Sequence, residues 1–468
     1  MTDFSLLING ATVAGESTMP VINPATGEVF ADAPRASTEQ LNEAVKAAND
    51  AFPEWSQTAL DDRRQVLRGI ADIVSEHADE LVELIIAEAG KPVREARREV
   101  GGTAAFFRYV SGMATPGHSI EDPTDRDIEI TYRPLGPVAA IIPWNFPLMT
   151  IAFKLPWILL AGNTVVIKPA PTTPLATLRF AELVSTLLPP GVLNVITDDN
   201  DLGPALTAHP GIRKVSFTGS TVAGQSVMRN AVDTLKRLTL ELGGNDAAIV
   251  LDDADPKTVA AGVYASAFQN NGQVCLAVKR LYVQVGIYDE VCAELAALAD
   301  AAVVGDGADE QSTHGPVQNA KQFTKLVDLL AVAHRDGTVI AGGKIVEGRG
   351  YFLRPTIVRD IVEGSELVDD EQFGPILPVI KFDTADEVLQ RSNNTAFGLG
   401  GSVWSSDADR AQEVARRVDA GTVWINKHAD IAPHIPFGGA KMSGVGSEFA
   451  QEGFVEFSQR TVINRTRA

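Results

Sequence analysis

The spacing of apolar residues changes within the first hundred positions of the chain. Residues 6–30 carry short apolar runs separated by turn-forming pairs such as Asn9-Gly10, a pattern that predicts small antiparallel strands. Ser37 then precedes a stretch, residues 38–55, with apolar residues at helical spacing, and Gln40 completes a capping-box pattern with Ser37. Helical spacing continues through residues 60–110, so a strand-rich start followed by amphipathic helices is predicted.

An isolated strand is predicted further along the chain. Residues 122–133 alternate polar positions with Ile128, Ile130 and Tyr132, a spacing typical of a strand with one exposed face. No partner strand lies beside it in the sequence. We therefore expect it to complete a sheet with a distant segment or with another subunit.

From Gly136 onward, apolar runs of strand length alternate with helical stretches. The runs are VAAII at 138–142, NTVVIK at 163–168, VLNVIT at 192–197, KVSFTG at 214–219 and AAIVL at 247–251. This alternation is typical of strands buried on both faces of a parallel, doubly wound sheet. It predicts the α/β fold class, with ligand contacts at the carboxyl ends of the strands.

Composition narrows the compartment and the partners. The 468 residues carry a formal net charge of -20, so neither nucleic acid nor an anionic membrane surface is expected as a partner. The most apolar stretch, residues 137–168, exceeds a membrane span in length, but prolines, asparagines and Lys154 interrupt it, which favours a buried core. The first residues lack a signal-peptide pattern, and two cysteines build no disulfide framework, so a cytoplasmic protein is expected.

Cys275 is the candidate nucleophile. It lies in FQNNGQVCLA, residues 268–277, where Gly272 permits a sharp turn and backbone amides beside the thiol can face a developing oxyanion. Cysteine reacts as the thiolate, so it needs a base, a dipole or desolvation. The alternative role is that of a small buried hydrophobe, as expected for Cys292 in its Ala- and Leu-rich stretch.

Polar residues at the predicted strand ends are candidates for ligand binding. Asn145, between Pro143 and Pro147, can donate its amide hydrogens to an oxyanion or serve only as a turn residue. Lys168 can reach a ribose hydroxyl or a phosphate, although a surface lysine at a strand end is commonplace. Residues 217–224, FTGSTVAG, precede a helix whose amino terminus can receive a phosphate, but they match neither G-x-G-x-x-G nor a P-loop.

Glu241 is the candidate general base. It is a single carboxylate among leucines in LELGGN, residues 240–245, and partial burial raises a carboxylate pKa toward neutrality. The alternative is an ion pair with Lys236 or Arg237. One strand and one helix separate Glu241 from Cys275, which is enough chain to bring the two side chains together.

Seven motifs occur in the order and spacing of one protein family: PWNFPL at 143, KPA at 168, FTGST at 217, LELGGN at 240, GQVC at 272, EQFGP at 371 and PFGGAKMSG at 436. The chain therefore resembles the aldehyde dehydrogenase superfamily over essentially its whole length. Glu241 makes it similar to the hydrolytic, non-acylating type, because CoA-acylating relatives generally lack that glutamate. The resemblance implies a homodimer or homotetramer that acts on a small-molecule aldehyde and needs no metal.

The resemblance also implies a three-part subunit. A Rossmann-like coenzyme domain would take residues 1–116 and 135–242, and an α/β catalytic domain would take residues 243–445. A small β oligomerisation arm would take residues 117–134 and 446–468.

Catalytic and binding roles follow by resemblance for matched positions. Cys275 would attack the aldehyde, the Asn145 amide and the Cys275 N–H would hold the oxyanion, and Glu241 would activate the water that hydrolyses the thioester. The implied coenzyme contacts are Ile141, Pro143, Trp144, Lys168, Gly203, Phe217, Gly219, Ser220, Leu242, Gln322, Glu371 and Phe373. The implied substrate-pocket residues are Trp144, Gln269, Leu276, Ile431 and Phe437.

One departure from the family pattern concerns the coenzyme. Pro171 stands where many NAD-preferring relatives carry a glutamate, which would bind the ribose hydroxyls and repel a 2′-phosphate. NAD is the expected coenzyme, with NADP as the alternative.

The substrate class rests on the residues around the nucleophile. Val274 and Leu276 are apolar and favour an aliphatic or aromatic aldehyde, whereas Ile431 offers no aromatic face for a quaternary ammonium group. Two alternatives stay open: a semialdehyde whose carboxylate is reached by Arg108 or Arg280, and a non-catalytic binding protein on the same scaffold.

Overall fold

The computed structural model describes residues 4–467, which form twenty strands and fifteen α-helices. The strands are β1 Leu6–Ile8, β2 Ala11–Val13, β3 Ser17–Asn23, β4 Glu28–Arg35, β5 His118–Ile120, β6 Arg126–Pro134, β7 Val138–Ile141, β8 Val165–Lys168, β9 Leu193–Val195, β10 Lys214–Thr218, β11 Arg237–Glu241, β12 Asp246–Val250, β13 Val278–Gln284, β14 Thr338–Ala341, β15 Thr356–Arg359, β16 Ile376–Phe382, β17 Gly400–Trp404, β18 Thr422–Ile425, β19 Gly444–Val445 and β20 Ser458–Thr466. The helices are α1 Thr38–Trp55, α2 Leu60–Glu76, α3 Ala78–Ala89, α4 Val93–Ser111, α5 Pro147–Leu160, α6 Leu175–Val184, α7 Gly203–Ala208, α8 Thr221–Ala231, α9 Pro256–Phe268, α10 Tyr288–Asp300, α11 Ala320–Asp336, α12 Glu366–Asp369, α13 Ala385–Asn393, α14 Ala408–Ala415 and α15 Ala450–Glu456.

The larger sheet has eight strands in the order β19-β11-β10-β7-β8-β9-β1-β2. Its five central strands, from β11 to β9, are parallel, and every residue of β7, β8 and β9 is buried. The continuous apolar runs that predicted these strands are explained by helices covering both faces of the sheet. The carboxyl ends of β7, β8, β10 and β11 carry Ile141, Lys168, Thr218 and Glu241, so the candidate residues meet along one edge.

The second sheet has seven strands in the order β14-β15-β16-β13-β12-β17-β18. All neighbours are parallel except β14 and β15, which pair antiparallel. Cys275 lies just before β13, and β12 follows directly after the Leu242-Gly243-Gly244-Asn245 segment. The α/β class predicted from the hydrophobic pattern is therefore confirmed.

The isolated strand predicted near residue 122 is β6, and its partner is distant in sequence. It pairs antiparallel with β20 along its whole length, from Arg126 opposite Thr466 to Pro134 opposite Ser458. β5 pairs on its other side and completes a three-stranded sheet. Of the two expectations, pairing within the chain is the one observed.

The helical predictions are also confirmed. α1 begins after Ser37, whose side chain accepts from the N–H of Gln40, while the Gln40 side chain accepts from the N–H of Ser37. The helical region from residue 60 divides into α2, α3 and α4, and Gly90 ends α3 in the left-handed conformation at φ 74°. Among the described helices, none has the length and apolar character needed to cross a membrane.

Candidate active site

Cys275 follows a tightly wound loop between α9 and β13. The backbone of Asn270, Asn271 and Gly272 is left-handed, at φ 49°, 54° and 75°. Asparagine tolerates this region better than most residues. A Cβ on Gly272 would lie 2.3 Å from the carbonyl oxygen of Gly374, so this turn requires glycine, as the sequence indicated. The sequence Asn-Asn-Gly is thus suited to the loop that presents Cys275.

The surroundings of Cys275 hold it in the thiol form. Burial raises the pKa of the half-buried side chain to about 12, and the negative charge of Glu241 raises it further. Lys279 opposes this rise, and its Nζ donates to the carbonyl oxygen of Cys275 at 3.2 Å. From the sequence, desolvation is one of the features expected to produce a thiolate. That expectation is wrong here, because desolvation favours the neutral thiol, which must lose its proton during the reaction.

The reactivity of the free thiol is expected to depend steeply on pH. Alkylation by iodoacetamide should be slow near pH 7 and should accelerate about tenfold per pH unit, because the thiolate fraction grows at that rate below the pKa. Mass spectrometry of the peptide that contains Cys275 measures the rate, and Cys292→Ala should leave the profile unchanged. A rate that reaches a plateau near neutral pH would contradict the raised pKa.

Asn145 lies beside the nucleophile. Its side-chain Nδ2 donates to the backbone carbonyl oxygen of Gln273 at 2.9 Å. The backbone carbonyl oxygen of Asn145 accepts from Asn270 Nδ2 at 3.0 Å. Gln273 is fixed in turn, because its Oε1 accepts from the N–H of Gln318 at 2.8 Å. These bonds tie the segment after β7 to the loop that carries Cys275. An amide has two donor hydrogens, so the second is available for a substrate oxyanion.

Replacing Asn145 with alanine should lower kcat by on the order of 100-fold, the usual cost of removing one oxyanion donor. Coenzyme binding should change little, and initial rates together with thermal unfolding would measure both effects. Asn163→Ala is a matched control, since this buried amide accepts from the N–H groups of Leu135 and Gly136, outside the candidate site. A loss of stability without a loss of kcat in Asn145→Ala would leave Asn145 only its turn role.

Glu241 is buried at the end of β11, with 4% of its surface exposed. Neither of its carboxylate oxygens has a hydrogen-bond partner among residues 4–467. Burial raises its pKa well above the usual range, the charge of Glu448 raises it further, and Lys154 opposes the rise. The alternative ion pair is not observed, because Lys236 donates to the Ala208 carbonyl and Arg237 donates to Gln459. The carboxylate is therefore poised to take up a proton.

A buried ion pair stands behind Glu241. Lys154 of α5 donates to the carboxylate of Glu448, and their side chains are 0% and 2% exposed. Neither residue is assigned a functional role from the sequence. The position of Lys154 in the most apolar helix does indicate a buried ion pair, because a buried cation needs a partner of opposite charge. The sequence around Glu448, which is 294 positions away, does not identify it as the partner.

A cavity of about 770 Å³ opens at the carboxyl edge of the larger sheet. Six of the candidate coenzyme residues line it: Ile141, Trp144, Lys168, Gly203, Phe217 and Ser220. Ser220 caps α8 by accepting from the N–H of Ala223, and Gly219 donates its N–H to the carbonyl oxygen of Glu241 at 3.0 Å. Lys168 is buried and pairs with Asp198 at 2.6 Å. The cavity size and its mixed lining suit a nucleotide-sized ligand.

The remaining coenzyme candidates lie outside that cavity. Pro143 comes directly before Trp144, and Leu242 packs in the core with its N–H donating to Ser443. Glu371 Oε1 accepts from the N–H of Gly244 at 3.0 Å, and burial raises the pKa of this carboxyl. Gln322 donates to the carbonyl oxygens of Gln372 and Phe373.

Trp144 connects the two groups of coenzyme candidates. Its ring meets the ring of Phe373 edge to face, with 5.3 Å between centroids. Trp144 also lines the cavity, whereas Phe373 does not. The Trp144 ring therefore lies between the coenzyme candidates that line the cavity and Phe373, which lies outside it.

The candidate pocket residues are spread over different surroundings. Gln269 lines a separate cavity of about 460 Å³ together with Arg94 and Arg98. Leu276 and Phe437 are buried in the core, and the Phe437 ring stacks on Phe449 with 5.8 Å between centroids. Ile431 is partly buried against the same core.

The two arginines considered for a substrate carboxylate are engaged elsewhere. Arg280 donates to the carbonyl oxygens of Asn245 and Ser392. Arg108 donates to Ser75 and Asp72 on α2. The structure therefore offers no support for either arginine as the partner of a substrate carboxylate.

Comparison with known proteins agrees with this geometry. The model of the aldehyde dehydrogenase family matches residues 12–463. The chain is 39% identical over 461 residues to phenylacetaldehyde dehydrogenase of Pseudomonas fluorescens, covering 95% of this chain and 92% of the relative. It is 36% identical over 462 residues to glutarate-semialdehyde dehydrogenase of Pseudomonas putida, covering 96% and 95%.

A solved structure extends the comparison to the fold. The crystal structure of PnpE in complex with nicotinamide adenine dinucleotide, a protein of Pseudomonas sp. WBC-3, superposes with a TM-score of 0.96 at 34% identity. The superposition covers 99% of this chain and 98% of PnpE, which confirms the predicted fold of two α/β units with a small β arm. The resemblance inferred from the seven motifs is likewise confirmed, and the chain belongs to the aldehyde dehydrogenase family of enzymes.

Proposed function

We propose that the protein oxidises an aldehyde to a carboxylic acid through a thiohemiacetal and a thioester on Cys275, with Glu241 activating the hydrolytic water. The observation that carries this proposal is the close approach of the segment after Glu241 to the nucleophile, because a Cβ on Gly244 would lie 2.6 Å from the carbonyl oxygen of Cys275. Glu241 ends a strand of the larger sheet, Cys275 precedes a strand of the second sheet, and the charge of Glu241 acts on the Cys275 thiol. A nucleophile and a buried base that meet in this way suit acyl transfer to water.

The coenzyme proposed for the 770 Å³ cavity is NAD, with NADP as the alternative. The donor set supports it, since Lys168 and Ser220 offer N–H and O–H groups to ribose and phosphate oxygens, and Ile141 and Phe217 offer apolar surface to a base. PnpE, which shares the fold, was crystallised with nicotinamide adenine dinucleotide. When bound, the nicotinamide would accept the hydride that leaves the aldehyde carbon.

The first half-reaction would form the bond to sulfur. The Cys275 thiol gives up its proton to solvent water as its sulfur attacks the aldehyde carbon, and negative charge develops on the former carbonyl oxygen. The free amide hydrogen of Asn145 and the N–H of Cys275 would hold that oxygen. Loss of hydride from the carbon then leaves a thioester, so the aldehyde has been oxidised by two electrons.

The second half-reaction would return the enzyme to its starting state. Glu241 takes a proton from water as the water oxygen attacks the thioester. The C–S bond then breaks to release the acid, and the proton passes from Glu241 to the departing sulfur, which regenerates the Cys275 thiol and the carboxylate. The raised pKa of Glu241 makes the carboxylate a stronger base than an exposed glutamate. Lys154, whose positive charge lowers the pKa of Glu241, would help the proton leave, whereas the charge of Glu448 opposes its departure.

An aliphatic or aromatic aldehyde is the first choice of substrate. Leu276 and Phe437 belong to the apolar cluster against which Cys275 and Ile431 pack as partly buried side chains, so the nucleophile has apolar surroundings. The similarity to phenylacetaldehyde dehydrogenase supports an apolar substrate of this kind.

A semialdehyde is the second candidate, supported by the cavity of about 460 Å³ beside Gln269. Arg94 and Arg98 line it, and burial lowers the pKa of His314 there to about 4, so the histidine is neutral and the arginines supply the positive charge. Glu95, whose pKa is raised by burial, opposes them. The similarity to glutarate-semialdehyde dehydrogenase favours testing such substrates.

Initial rates of reduced-coenzyme formation would test the function. A panel of apolar aliphatic, aromatic and ω-carboxylated aldehydes should be run with NAD and with NADP, followed by absorbance of the reduced nicotinamide. Turnover confined to one class identifies the substrate class. Arg98→Gln should raise KM for the ω-carboxylated members alone if the semialdehyde candidate is correct. No turnover with any pair would instead favour a CoA-dependent or non-catalytic role.

We further propose the three-part division with boundaries at 117–134, 243 and 446, and a homodimer or homotetramer built through the three-stranded sheet. Ile120, Val462 and Ile463 support it, since these apolar side chains of β5 and β20 are 43–55% exposed. A partner subunit that covered them would remove apolar surface from water. Sedimentation of the protein with Val462 and Ile463 replaced by lysine would test whether this surface holds the assembly together.

A further inference from the structure

The buried ion pair between Lys168 and Asp198 places a carboxylate next to the 770 Å³ cavity, whose lining residues among positions 4–467 include no carboxylate. Lys168 ends β8, and Asp198 follows β9, the neighbouring strand. The Lys168 Nζ lies 2.6 Å from Asp198 Oδ1, and the two side chains are 5% and 0% exposed. Asp198 Oδ2 accepts from the N–H of Leu202 at 2.8 Å, so both carboxylate oxygens are held. Lys168 lines the cavity and Asp198 lies behind it.

Asp198 changes what Lys168 can offer a ligand. One N–H of the ammonium is directed to Asp198, and the two others can donate to ribose hydroxyls. The charge of the ammonium, however, is offset by a carboxylate in direct contact with it. A ribose needs donors, whereas a 2′-phosphate of about two negative charges needs uncompensated positive charge. The pair therefore suits a ribose better than a phosphorylated ribose.

The other residues that line the cavity do not distinguish a ribose from a phosphorylated ribose by negative charge. Pro171 lines the cavity and supplies neither a carboxylate for the ribose hydroxyls nor a charge that repels phosphate. No Asp or Glu side chain is among the lining residues in the described part of the chain, and Lys321 is there besides Lys168. Without Asp198, Lys168 and Lys321 would line the cavity with no carboxylate among the described lining residues to oppose their charges.

Resting on the proposed coenzyme site, we infer that Asp198 is the positioning residue that makes this enzyme prefer NAD to NADP. It acts through Lys168, by fixing the Nζ donor and cancelling its charge, and not by touching the coenzyme. The carboxylate that repels phosphate thus stands behind the lysine instead of at position 171.

The ratio of kcat/KM for NAD to that for NADP tests this inference. The wild-type protein should favour NAD by about tenfold or more, and Asp198→Asn should reduce the ratio by about tenfold, since each such factor corresponds to one modest charge interaction. Quenching of Trp144 fluorescence by each coenzyme gives binding without turnover. Asp201→Asn is the matched control, because it removes a carboxylate of an exposed pair with Arg35 only three positions away. It should leave the ratio unchanged.

A second variant keeps the test valid if Asp198→Asn does not fold. Pro171→Glu should change the wild-type ratio by less than about threefold, because the phosphate is already excluded by the charge behind Lys168. Three results would overturn this inference without affecting the proposed function. They are a tenfold or larger increase of the NAD to NADP ratio in Pro171→Glu, an equal loss of kcat/KM for both coenzymes in Asp198→Asn, and equal kcat/KM for both coenzymes in the wild-type protein. A wild type that binds neither coenzyme would overturn the proposed function, and this inference with it.

Discussion

Replacing Cys275 with alanine is expected to abolish formation of reduced coenzyme, with a loss on the order of 10⁴-fold or more, because no other group can form the covalent intermediate. The substitution removes one sulfur from a half-buried position, so the fold should be retained. Coenzyme binding should also be retained, since Cys275 does not line the cavity at the edge of the larger sheet. Initial rates and quenching of Trp144 fluorescence would measure the two effects separately.

Cys292→Ala provides the matched control. Cys292 is the second of two cysteines in the chain, buried in α10 at 1% exposure, where it packs in an apolar cluster. Its replacement should lower stability by about 1 kcal/mol and leave the rate unchanged. If Cys275→Ala abolished coenzyme binding as well, Cys275 would be a structural residue and the proposed mechanism would fail.

Replacing Glu241 with glutamine is expected to separate the two half-reactions. Hydride transfer should still occur once per active site, giving a burst of reduced coenzyme, while the steady-state rate falls by about 10²- to 10⁴-fold through loss of the general base. Rapid mixing with absorbance detection would resolve the burst. In the wild-type protein the steady-state rate should rise with pH through the raised pKa of Glu241, because the ionised carboxylate activates water. That dependence should disappear in Glu241→Gln.

A second buried glutamate serves as the control for this substitution. Burial raises the pKa of Glu88 to about 8, and its carboxylate oxygens accept from the N–H groups of Leu175 and Ala176, away from Cys275. Glu88→Gln should alter stability and leave the burst and the steady-state rate in their wild-type ratio. The absence of any burst in Glu241→Gln would give Glu241 an earlier role, at the Cys275 thiol.

The fold could be predicted from sequence because its signal is local. Strands such as β7 and β8 are buried on both faces and so read as continuous apolar runs, while Ser37 and Gln40 mark the start of α1 by direct side-chain bonds. The partner of β6 could not be predicted from the strand itself, because nothing in residues 126–134 identifies a strand more than 300 positions away, and only the family resemblance grouped residues 117–134 with 446–468. Strand pairing depends on the folded chain as a whole.

Some residues of the candidate site could likewise be predicted from the sequence, and others could not. Asn145 and Glu241 stand out because polar groups follow apolar runs at strand ends, where ligands bind in α/β sheets, and Cys275 stands out as a thiol beside a glycine turn in residues 268–277. Asp198 did not stand out, since an aspartate in a polar loop is ordinary until the neighbouring strand brings Lys168 against it. The protonated state of Cys275 was also unpredictable, because desolvation and the charges of Glu241 and Lys279 arise only from packing.

The proposed oxidation proceeds through a thioester on Cys275 that Glu241 helps to hydrolyse. Intact-protein mass spectrometry of Glu241→Gln, quenched in acid after mixing with NAD and a substrate aldehyde, would detect this intermediate. We predict a mass increase equal to the aldehyde less two hydrogens, located by peptide mapping on Cys275. Reduced coenzyme formed in that sample without any adduct on Cys275 would contradict this proposal.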